Sequence, residues 1–92
     1  MSRSRKTIDH QTIKNWVERR GGKPSVVETM AEGGGIIIRI NFPGYSGKES
    51  LREVSWDEFF KIFEEQKLMF VYQEMTKGNR SNFNKIVSRE SI

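Results

Sequence analysis

The chain has no cysteine, one histidine and two prolines among its 92 residues. The missing thiols exclude disulfides and thiolate zinc sites. They fit a reducing compartment, so a cytoplasmic location is expected. A single imidazole without thiols falls short of the usual three- or four-ligand zinc sets, and no Asp-x-Asp-x-Asp-Gly pattern offers a calcium loop. No apolar run comes near the roughly 20 residues of a membrane-spanning helix. The opening Met1-Ser2-Arg3-Ser4-Arg5-Lys6 is basic but lacks the apolar stretch of a signal peptide. No membrane partner is expected.

What the chain does have is aromatic material and charge. Six Phe, two Trp and two Tyr supply large buried areas to a core that must be small at this length. The net charge of +4 is uneven: residues 1–24 carry +5, residues 25–75 carry −4, and residues 76–92 carry +3. Basic ends around an acidic middle are a pattern that can hold a polyanion, or simply solvated termini.

Local patterning predicts the order α-β-β-α-β-β. Residues 1–6, with basic residues alternating with Ser and nothing apolar to anchor them, read as a disordered tail. A helix is expected over 9–20, with Asp9 as N-cap candidate, Thr7 as its competitor, and Ile13, Trp16 and Val17 as its apolar stripe. Gly21-Gly22 and Pro24 end it. Val26, Val27 and Thr29 mark a strand over 25–31. Residues 32–35 form a turn, and Ile36, Ile38 and Ile40 line one face of a second strand over 36–42. Pro43-Gly44-Tyr45-Ser46-Gly47 is a loop. Ser55-Trp56-Asp57-Glu58 is a capping box, stapled by Val54 and Phe59, that opens a second helix with Trp56, Phe59, Phe60 and Phe63 on its buried face. Strands over 68–74 and 81–88 follow, joined by a turn at Lys77-Gly78-Asn79. The fold class is therefore a single small α+β domain spanning 7–90. An antiparallel three- or four-stranded sheet packs one face on both helices and leaves the other partly open at Arg39 and Asn41. The expected core is Trp16, Val17, Ile38, Ile40, Phe59, Phe63, Phe70 and Val71.

Catalytic patterns fail on their own terms. Gly44-Tyr45-Ser46-Gly47 lacks the final glycine of a nucleophile elbow, since position 48 is Lys, and His10 lies on a different element. Gly47-Lys48 lacks the earlier glycine of a phosphate loop, where Phe42 stands, and the following Ser or Thr, where Glu49 stands. Asp57 and Glu58 are accounted for by the helix dipole. His10 beside Asp9 reads as a surface or capping residue, and Glu64-Glu65 as a solvated helix end. No enzyme and no cofactor are expected.

Ile8-Asp9-His10, Ile13-x-x-Trp16, Arg20-Gly21-Gly22-x-Pro24, Phe42-Pro43-Gly44-Tyr45-Ser46-Gly47, Ser55-Trp56-Asp57-Glu58-Phe59-Phe60, Tyr72-Gln73, Asn82-Phe83-Asn84-Lys85 and Val87-Ser88-Arg89 together span nearly the whole chain. In these segments the chain resembles a family of short stand-alone bacterial proteins of unknown function. Some members carry the label of a glucan branching enzyme. Such enzymes resemble large barrel hydrolases, which 92 residues cannot build. The resemblance thus implies a fold unit and no site residues.

Two functions follow from these features. The first is a binding domain for protein interaction or assembly, with an exposed sheet edge and apolar surface from Tyr45, Met69, Met75 and Phe83. The alternative is nucleic-acid binding through Arg3, Arg5, Lys6, Arg19, Arg20, Lys23, Lys77, Arg80, Lys85 and Arg89, with Asn79, Asn82, Asn84 and Tyr72 adding polar contacts and stacking.

Overall fold

The computed structural model describes residues 4–28, 35–43, 51–76 and 79–91. Most of the expected loop (44–47), the turn at 32–34, Lys77 and Gly78, and the end of the first predicted strand at 29–31 lie outside these. Ten secondary-structure elements and a terminal 3-10 turn follow in order. They are β1 (Ser4–Thr7), α1 (His10–Arg19), β2 (Lys23–Glu28), β3 (Ile36–Asn41), β4 (Arg52–Glu53), α2 (Trp56–Glu65), β5 (Leu68–Gln73), β6 (Met75–Thr76), β7 (Asn79–Arg80), β8 (Asn84–Ser88) and the turn Arg89–Ser91.

Both helices start and stop where their end chemistry dictates. The Asp9 carboxylate accepts from the Thr12 N–H at 2.9 Å and from the Thr12 hydroxyl at 2.6 Å, which caps α1. The Thr12 hydroxyl bond and then the backbone bond hold the Asp9 carboxyl below the usual carboxylate range. At the other end Gly21 takes φ +72°. Gly21 N–H donates to Glu18 O and Gly22 N–H to Val17 O, the paired closure that a left-handed residue after the helix permits. Gly22 is needed for space instead. A Cβ there would sit 2.9 Å from Val17 Cγ1 and 3.0 Å from both Ile40 Cγ2 and Phe42 Cε1. On α2, Ser55 Oγ accepts from the Glu58 N–H at 3.1 Å, while the Glu58 carboxylate lies 3.9 Å from Arg52. Lys67 closes that helix at φ 53°.

The α+β class holds, with two helices and antiparallel sheets of three strands each. The four long strands do not join into one sheet. They divide between a first sheet, β1-β5-β8, and a second, β3-β2-β4; β6 and β7 form a separate two-stranded ribbon. In each sheet the central strand is flanked on both sides. Arg52 and Glu53 pair with Val26 and Ser25 on the side of β2 away from β3. Strand β5 has β1 on one side and β8 on the other. Each central strand has both edges taken, so neither can accept the other.

Residues 4–6 of the 1–6 segment expected to be a disordered tail lie instead in β1. Ser4–Thr7 pairs with Phe70–Gln73 in an antiparallel ladder. No apolar side chain marks this strand because it is held by its backbone, and three of its four residues are exposed. Thr7 Oγ1 then accepts from the Asp9 N–H at 3.0 Å and turns the chain into α1.

One hydrophobic cluster draws on both helices and both large sheets: Ile13, Trp16 and Val17; Val26 and Ile38; Phe59, Ile62 and Phe63; Phe70 and Tyr72, with Val54. Trp16 is its hinge. It meets Phe70 and Tyr72 edge-on, with ring centroids at 5.4 and 5.8 Å, and its indole N–H donates to Gln73 O at 2.8 Å. Of the expected core, Ile40 and Val71 are only half-buried. Met69, expected to present apolar surface, is 5% exposed.

Candidate functional site

Strands β3 and β8 are edge strands of different sheets, and they form the two walls of an open groove of about 450 Å³. One wall is Ile37, Ile38, Arg39 and Ile40; the other is Asn84, Lys85, Ile86 and Val87; Leu51 completes the lining. Successive residues of a strand point to opposite faces. A wall made of four consecutive residues is therefore the edge of the strand and not one of its faces.

The pairing registers show which backbone groups each edge offers. Pro24 has no N–H, and its carbonyl accepts from the Val54 N–H at 3.0 Å. Pro24 and Val26 thus turn toward β4, and Ser25 and Val27 toward β3. Their ladder partners on β3 are Arg39 and Ile37, so the N–H and C=O of Ile36, Ile38 and Ile40 point away from β2. The Ile36 carbonyl accepts from Gln66 Nε2 at 3.0 Å, as that direction requires. On β8, the bonds Gln73 N–H to Phe83 O and Arg89 N–H to Lys67 O continue the register that pairs Val71 with Lys85 and Met69 with Val87. Asn84 and Ile86 consequently direct their N–H and C=O into the groove. Among the described residues neither strand is paired on that side.

The groove's chemistry is apolar within and cationic at the rim. Ile38 is buried, and Ile40 and Ile86 pack against the core from the inner side. Arg39 and Lys85 lie on the opposite faces and are exposed; none of the described lining residues is acidic. Ile36 and Ile37 on β3 are exposed large hydrophobic residues, at 36% and 41%.

The described members of the ten basic residues proposed for a polyanion stand on several elements. Arg3 and Lys77 lie outside the described residues, as does the side chain of Arg80. Arg5 and Lys6 stand on β1. Lys6, Val71 and Lys85 form one row across the first sheet, on the face opposite Phe70. Arg19 and Lys23 are exposed near the end of α1. Arg20 and Arg89 serve the fold instead. Arg20 donates to Trp16 O at 2.9 Å, to Glu74 O at 2.8 Å and to Ser81 O, with its guanidinium 4.1 Å from the Trp16 ring centroid. Arg89 donates to Leu68 O at 2.7 Å and to Glu64 at 2.9 Å.

Of the apolar residues expected at the surface, Phe83 is exposed at 42%, while Tyr45 and the Met75 side chain lie outside the described residues. His10 joins α1 to α2. It stacks on Phe60 with centroids 4.1 Å apart and planes 3° apart, and its Nε2 lies 2.7 Å from Glu64 Oε2. The His10 bond first, and then that of Arg89, hold the Glu64 carboxyl below its ordinary value. The cluster is open to solvent and lies outside the groove. The third member beside His10 and Glu64 is a guanidinium, which repels a metal cation and leaves two ligands where three or four are needed. A second hollow, between the end of α1 and the start of α2, is lined by Glu18, Lys23, Glu53 and Trp56 among others. It combines charges of both signs without a convergent polar set.

Comparison of the chain with protein-family models, with curated proteins and with solved structures finds no match.

Proposed function

We propose that this chain is a small non-catalytic binding domain whose task is protein interaction or assembly. The observation that carries this reading is the groove itself: two strand edges, each with backbone donors and acceptors turned outward, enclose an apolar floor beside exposed Ile36 and Ile37. Exposed edges attract further backbone, and an exposed apolar strand beside them adds area that water does not favour.

Light scattering coupled to size-exclusion tests this reading across a wide concentration range, alongside affinity capture with tagged wild type and Ile37→Glu. Wild type should self-associate or retain a partner that Ile37→Glu loses. A strict monomer that captures the same proteins as its variant would remove the reading's support. The polyanion alternative draws on the Lys6–Val71–Lys85 row and is weakened by the structural employment of Arg20 and Arg89. It requires binding to mixed DNA or RNA that falls steeply with salt, whereas an apolar interface should be nearly indifferent to it.

A further inference from the structure

We draw no further inference here: the strongest candidate, the apolar groove between the open edges of β3 and β8, belongs to the site already described, and nothing among the described residues shows what covers it.

Discussion

Replacing Arg20 by alanine is expected to destabilise the domain by about 3 kcal/mol, since the side chain forms three charge-assisted bonds to backbone carbonyls, each worth about 1 kcal/mol net at a half-exposed site, plus a small stacking contribution. The three acceptors belong to different parts of the chain: Trp16 in α1, Glu74 just after β5, and Ser81 on the way to β8. The guanidinium also covers the Trp16 ring. A bond to Gln73 O at 3.5 Å is too long to add much, and that carbonyl already accepts from the Trp16 indole. Arg20→Lys keeps the charge but loses the planar fork and most of the stacking, and should cost about 2 kcal/mol. Against a total stability of roughly 5–15 kcal/mol for a domain of this kind, both losses are measurable by urea denaturation followed through tryptophan fluorescence. A loss below about 0.5 kcal/mol for alanine, the ordinary range of surface substitutions, would show that Arg20 is decoration. A lysine variant as stable as wild type would show that geometry is irrelevant.

Phe59 is fully buried at the centre of the cluster, so Phe59→Ala should cost about 3–5 kcal/mol in the same titration; a thermal midpoint within a degree or two of wild type would contradict its placement. Gly22→Ala should cost about 1–3 kcal/mol by overpacking against Val17, Ile40 and Phe42, and a neutral or stabilising result would mean those three side chains yield freely. Glu64 supplies the pH dependence. Its folded value is depressed below 4.5 by His10 and Arg89, so its contribution is complete above pH 4.5 and is lost as pH falls through the folded value. Thermal midpoints of wild type should therefore drop more steeply on the acid side than those of Glu64→Gln, the two curves converging at low pH; parallel curves would argue that the carboxylate gains nothing from its partners.

The helices were legible because their signals are local. Asp9 and Ser55 announce helix starts, Gly21 a helix end, and Ile13, Trp16 and Val17 recur at helical spacing. The Ile36–Ile40 alternation was equally readable. What escaped were the relations between remote segments. Strand β1 is polar throughout and is recognisable only by its partner β5. The second sheet's third strand is Arg52–Glu53, a pair of charged residues with no strand character of their own, reaching the free side of β2. Arg20 read as one more cation at a helix end, because two of its three acceptors are carbonyls more than fifty positions away. The groove was invisible for the same reason: each wall is an ordinary strand, and only their juxtaposition makes a site. The exposed sheet edge was anticipated, but nothing in the residue pattern said that a second edge would face it.

The short first strand also has a practical bearing on how the molecule is handled. A truncation beginning at Ile8 would strip the flank from β5, the strand that carries Phe70 and Tyr72, and create a new adhesive border on the far side of the same sheet. Clumping of such a shortened chain would then be an artefact of trimming, easily mistaken for native assembly. Affinity handles are better separated from Ser4 by a flexible spacer than grafted in its place.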